Sequence, residues 1–179
     1  MNDARPSDPD AAAPSRVGLP WLVVTVLWTL ACANGDARIG AVALPPAGTP
    51  VSFGRDVQAV LDARGCTASG CHGTPAFSPM SLEAGQSYAN LVNVPACEAP
   101  ALKRVDPTKS AMSYLIAKLD GSFTTVESSG GCSAGCVSGD ATYTTQGSCG
   151  ERMPFGAAPL DNGEIQLIRD WIDQGAPNN

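Results

Sequence analysis

A chain of 179 residues has room for one modest domain with appendages rather than two full domains. Only 16% of it is charged and 19 glycines and 15 prolines punctuate it, which excludes a long coiled coil or a highly charged disordered tail and predicts a core threaded by loops. The formal net charge of −6 excludes a basic footprint for nucleic acid.

The first predicted element is an export signal at residues 1–33. Leu19 to Leu30 reads LPWLVVTVLWTL, an apolar run of signal-core length that is short for a bilayer span. Small residues at Ala31 and Ala33 suit cleavage after Ala33. Thr29-Leu30-Ala31-Cys32 also resembles a bacterial lipobox, which implies lipidation of Cys32, although Thr29 stands where leucine is usual. Asp3, Asp8 and Asp10 outnumber Arg5 and Arg16, an acidic start that translation beginning near Val17 would remove. A buried helix or a retained anchor is the competing reading. The expected location is the periplasmic side of the envelope, lipid-anchored to the outer membrane.

Residues 34–50 are rich in Ala, Gly and Pro and read as a linker to a domain at 51–177. In SFGRDVQAVLDARG, the residues Phe53, Val57, Val60 and Leu61 recur at helical spacing, with Ser52 as N-cap and Gly65 as stop. A second helix is predicted within Ser81–Val92, weakened by Gly85. A third is predicted over Pro107–Leu119, with Met112, Leu115, Ile116 and Leu119 on one face and Gly121 ending it. The loop 122–151 is long for a compact domain and holds three cysteines. The last helix carries the strongest signals: Asp161 and Glu164 form a capping-box pattern, Ile165, Ile168, Trp171 and Ile172 line one side, and Gly175 closes it. No segment is convincingly a strand, so the expected fold class is all-α.

The motif with the most chemistry is Cys66-Thr67-Ala68-Ser69-Gly70-Cys71-His72. A haem c needs two thiols to form thioethers with its vinyl groups and an imidazole just after the second thiol to reach the iron. Four residues separate the cysteines here, where two are usual, and the adjacent Cys71-His72 pair is the part the chemistry requires. His72 is the only histidine in the chain, so one covalent haem of this type is the most that can attach, and bis-histidine ligation within the chain is excluded. A methionine would complete the iron's coordination, or the position stays open. Met153, in Glu151-Arg152-Met153-Pro154-Phe155, is the leading candidate, against the plainer reading of a gap-filling core residue. Met112 on an apolar helix face and Met80 so close to the motif are less suitable.

With Cys32 assigned to export and Cys66 and Cys71 to haem, Cys97, Cys132, Cys136 and Cys149 remain. An even remainder in an exported protein predicts two disulfides with three possible pairings. A zinc site is the rival, from the spacing of Cys132 and Cys136.

The order of weaker motifs adds a resemblance. Phe53-Gly54-Arg55-Asp56-Val57 with Val60-Leu61, Cys71-His72, Tyr88-Ala89-Asn90-Leu91-Val92 and Arg104-Val105-Asp106-Pro107-Thr108-Lys109-Ser110 follow one another. Met153-Pro154 and Trp171-Ile172-Asp173-Gln174-Gly175-Ala176 complete the series. Over about residues 51 to 177 the chain resembles the exported cytochrome c-like domains of planctomycetes and myxobacteria, with the Cys-rich loop as an insertion. The resemblance implies a small helical haem domain, attachment at Cys66 and Cys71, His72 proximal and Met153 distal. Arg104 would pair with a haem propionate, unless it is a plain surface arginine. The expected function is electron transfer to redox partner proteins rather than enzymatic turnover. The alternatives are a haem enzyme or sensor with an open sixth position, and a haem-free, disulfide-rich secreted binding module.

Overall fold

The computed structural model describes residues 42–46, 48–74, 80–132, 136–138, 141–144 and 147–179. The expected signal peptide and Cys32 lie outside the described residues. Within them, no helix is long and apolar enough to cross a membrane.

A π-helical turn at Phe53–Val57 runs into α1 (Gln58–Ala63). The Ser52 hydroxyl accepts from the Arg55 amide at 3.3 Å, and the Ser52 amide donates to Asp56 Oδ2 at 2.8 Å, so the start is capped as the sequence predicts. α2 forms only at Ser87–Leu91. Gly85, at φ +84°, breaks the periodic stretch before it, and the Ser81 hydroxyl draws the Glu83 amide into a local turn at 3.2 Å.

α3 (Tyr114–Asp120) is likewise shorter than its pattern. Ser110 is pinned to Asp173 through both amide (2.9 Å) and hydroxyl (2.8 Å), and the Ser113 hydroxyl accepts from the Asp106 amide at 2.9 Å. These bonds hold Ser110–Met112 as a 3₁₀ turn. Met112 is therefore 55% exposed instead of lying on the apolar face expected for it.

The loop 122–151 contains a helix and a two-stranded ribbon that sequence reading missed. α4 (Phe123–Ser128) is a short helix anchored by buried Phe123. β1 (Cys136–Ser138) pairs antiparallel with β2 (Ala141–Thr144), with an irregularity between Cys136 and Val137. This ribbon corrects the expectation of no strand. The described residues are otherwise helical in their regular structure, in keeping with the all-α expectation.

α5 (Asn162–Asp173) shows both halves of the capping box: Glu164 N–H to Asp161 Oδ1 at 2.8 Å, and Asp161 N–H to Glu164 Oε2 at 3.0 Å. Its buried Ile165, Leu167, Ile168, Trp171 and Ile172 pack with Val57, Val60 and Leu61 of the first helix and Leu115, Ile116 and Leu119 of α3 in one apolar cluster. Trp171 has no exposed surface, and its ring centroid lies 5.0 Å from that of Phe53, which meets Tyr88 edge-on at 5.2 Å. A second cluster joins Tyr114, Ala117 and Phe123 to Cys132 and Cys149. α3 stands between the two clusters and is buried on both sides, from Tyr114 through Leu119. Val42, in the expected linker, packs against the first cluster, and Gln174 brackets the same strip through the Val51 amide and the Thr49 carbonyl.

Candidate functional site

The α1 C-terminus delivers the cysteine motif. Gly65, at φ +69°, ends the helix, and the Cys66 amide reaches back to the Leu61 carbonyl at 2.9 Å. A tight loop follows, with Cys71 N–H to Ala68 O at 3.0 Å and Gly73 N–H to Ala68 O at 3.0 Å. Gly70 adopts φ +81°, the left-handed conformation that lets the two additional residues fold into a turn. The His72 amide then donates to the Cys66 carbonyl at 3.1 Å, which brings the two ends of the motif together. A Cβ on Gly73 would overlap the Thr67 carbonyl oxygen, so the residue after the histidine must be glycine in this loop.

His72 is half-buried. Its Nδ1 lies 3.4 Å from the Met80 carbonyl, an acceptor only, so the hydrogen bond is a long one with the proton on Nδ1. That tautomer puts the basic lone pair on Nε2, the arrangement by which a backbone carbonyl orients a metal-binding imidazole. Burial pushes the His72 pKa down from its ordinary value; the cations of Arg104 and Lys118 act in the same direction and the Met80 contact opposes them. The neutral form is favoured.

Cys66 is a free thiol, partly buried against the first apolar cluster. Burial pushes its pKa up to about 12, so it is protonated at neutral pH and is neither a thiolate ligand nor an activated nucleophile. Cys71 is buried and disulfide-bonded, its partner lying outside the described residues.

Met80 and Met153 are both partly buried against the same apolar cluster as Cys66. Met153 precedes a cis peptide bond to Pro154, and its amide donates to the Lys118 carbonyl in α3 at 3.0 Å. The half-buried Arg104 donates to the Asn90 carbonyl at 2.7 Å and makes no ion pair among the described residues. Burial lowers its pKa, and Glu98 opposes that. Tyr88 and Trp171 serve the core: the Tyr88 hydroxyl donates to the Ala176 carbonyl at 2.9 Å and the Trp171 indole to that of Pro177 at 3.0 Å.

The four remaining cysteines form two disulfides, Cys97–Cys136 and Cys132–Cys149, with Cα separations of 5.6 and 5.2 Å. The pairs interleave along the chain. Cys132 and Cys136 belong to different bridges, so neither supplies a thiolate for zinc. Glu127 gathers with Cys132 and Cys149, but those sulfurs are bonded to each other and the Glu127 carboxylate accepts from the Cys149 amide at 2.9 Å. A surface depression lined by Phe53, Gln58, Gly85 and Tyr88 lies apart, with none of Cys66, Cys71, His72 or Met153 in its wall.

Against protein-family models, curated proteins and solved structures, the chain has no match. Its own residues therefore carry the functional argument. Two roles escape sequence reading: Met80 contributes through its backbone, for which no side-chain signal exists, and Lys118 is buried, whereas a lysine near a helix end ordinarily reads as solvated.

Proposed function

We propose that the chain is a monohaem c-type cytochrome of the cell envelope, passing electrons between redox partner proteins, with a cytochrome c-like helical domain. The haem c would be held by thioethers at Cys66 and Cys71, with His72 as proximal ligand and Met153 as distal ligand. The bound group supplies one-electron chemistry at iron; the chain supplies attachment, ligands and a largely apolar surround that sets the potential.

The observation that carries this reading is the loop closure at His72. The motif folds so that its two ends meet, and the long contact to the Met80 carbonyl favours the tautomer with the lone pair on Nε2, the nitrogen that would bind iron. The free Cys66 thiol, the imidazole and the Met153 thioether suit such a group, with Cys66 and Met153 on one apolar cluster, and Cys71 would supply the second thioether only in its reduced form. Arg104, half-buried and without a carboxylate partner among the described residues, has the character of a propionate anchor. Lipidation of Cys32 on the periplasmic side of the outer membrane belongs to the same proposal.

One observation favours a second reading. Cys71 in a disulfide suits a haem-free, disulfide-stabilised exported binding module, because thioether formation needs it as a thiol. Expression in a host competent in cytochrome maturation separates the two. A pyridine haemochrome band and an intact mass raised by one haem support the cytochrome. Colourless protein without the adduct supports the binding module.

A further inference from the structure

We propose that Lys118 is the positioning residue for Met153, holding both ends of the segment that presents the methionine sulfur. The inference rests on the reading of Met153 as distal ligand.

Lys118 is only 7% exposed. Its ammonium makes no ion pair among the described residues; it donates to the Cys149 carbonyl at 2.6 Å and lies 4.9 Å from the Phe123 ring centroid and 5.9 Å from that of Tyr114. Burying an ammonium is costly, and this hydrogen bond, the aromatic faces and the more distant carboxylates of Glu98, Glu151 and Glu127 offset only part of that cost. A leucine would pack here without the cost, so the charge makes sense if it holds something in place.

What it holds is the segment from Cys149 to Met153. The Lys118 ammonium binds the Cys149 carbonyl at one end, and the Lys118 carbonyl accepts the Met153 amide at the other, at 3.0 Å. The neighbouring Leu119 carbonyl accepts Arg152 Nε at 2.9 Å, and the Tyr114 hydroxyl adds a longer bond to the Cys149 carbonyl at 3.3 Å. The Cys132–Cys149 bridge secures the upstream end covalently. One buried turn of α3 thus sets where the sulfur of Met153 can go.

The test is imidazole binding to the ferric, haem-loaded protein. External imidazole binds only when the methionine releases, so its apparent affinity reports the released fraction. K118M should bind imidazole about tenfold more tightly, the size expected for losing one hydrogen bond from a charged donor. M153A should bind more tightly still, and K118M should add nothing in the M153A background. Equal effects of K118M with and without Met153 would overturn the proposal, as would no effect in the single variant. If M153A itself leaves imidazole affinity unchanged, the distal assignment fails instead. In the haem-free chain, K118M should speed amide exchange across residues 149–153; unchanged exchange there also counts against Lys118. Should K118M not fold, K118Q carries the same comparisons with an intermediate effect expected, and no effect overturns the proposal.

Discussion

The amide of His72 donates to the carbonyl of Cys66 at 3.1 Å, so the first and last residues of the cysteine motif are hydrogen-bonded to each other. A loop with two more residues than the usual motif is thereby closed by the backbone itself. Side chains six positions apart share one small framework, and its rigidity depends on the residue that follows.

Gly73→Ala should disrupt that framework. The added methyl overlaps a backbone oxygen, that of Thr67, which has no flexible side-chain end to give way. If the proposed haem attaches, the expected outcome is a several-fold fall in the yield of haem-loaded protein with secondary structure largely intact, read by intact mass and circular dichroism. Unchanged loading in Gly73→Ala would remove the closed loop from the account of attachment.

The loop is also tied to α5. Arg64 Nε donates to Glu164 Oε1 at 2.7 Å, while the other oxygen of Glu164 accepts the Asp161 amide in the capping box. Glu164 is 4% exposed at its side chain and Arg64 31%. Glu164→Ala should destabilise the fold by about 2 kcal/mol, combining a lost cap with a lost charge-assisted bond. Glu164→Gln, which keeps an accepting oxygen for the cap, should cost about half as much in urea unfolding.

Acid sensitivity is expected at Asp56. Its hydrogen bonds from the Arg55 guanidinium, at 2.8 and 2.7 Å, hold its carboxyl below the ordinary aspartate value, aided by the Ser52 amide and opposed by burial. A carboxyl lowered in the folded state adds stability above the unfolded-state pKa and loses it as pH falls through the folded value. Asp56→Asn should therefore have a lower urea midpoint than wild type at about pH 7, with the gap closing towards about pH 3. A gap of constant size across that range would show that the carboxylate charge is irrelevant.

Non-reducing peptide mapping should recover Cys97 with Cys136 and Cys132 with Cys149. Replacing Cys132 and Cys149 together by serine should cost about 3 kcal/mol, given a sequence separation of 17, and the Cys97–Cys136 pair somewhat more, given 39. Recovery of a Cys132–Cys136 peptide would refute the pairing.

The features legible in the chain are local ones. Asp161 and Glu164 are three residues apart and each side chain accepts from the other's backbone amide, so the start of α5 can be read from four letters. The apolar spacing of Ile165, Ile168, Trp171 and Ile172 needs only helical periodicity, and all four are buried. α4 was not legible, because Thr124, Thr125 and Val126 are weak helix formers and the element rests on Phe123 reaching a core built by other segments. Met112 misleads for a related reason: its spacing fits an apolar face, but the bonds at Ser110 and Ser113, two of them to distant Asp173, delay α3 until Tyr114.

Residue identity and spacing alone settle the inventory: one imidazole beside a cysteine, an even set of further cysteines, a capped final helix and too little positive charge for nucleic acid. Those are properties of neighbours along the chain, where sterics and hydrogen bonding act over a few residues. Which cysteines pair, which carbonyl meets Nδ1 of His72 and why Lys118 is buried depend on segments tens of residues apart converging on α3 and α5. Only packing decides such contacts, because burial against a shared core, and not any preference of the residues themselves, sets which distant groups meet.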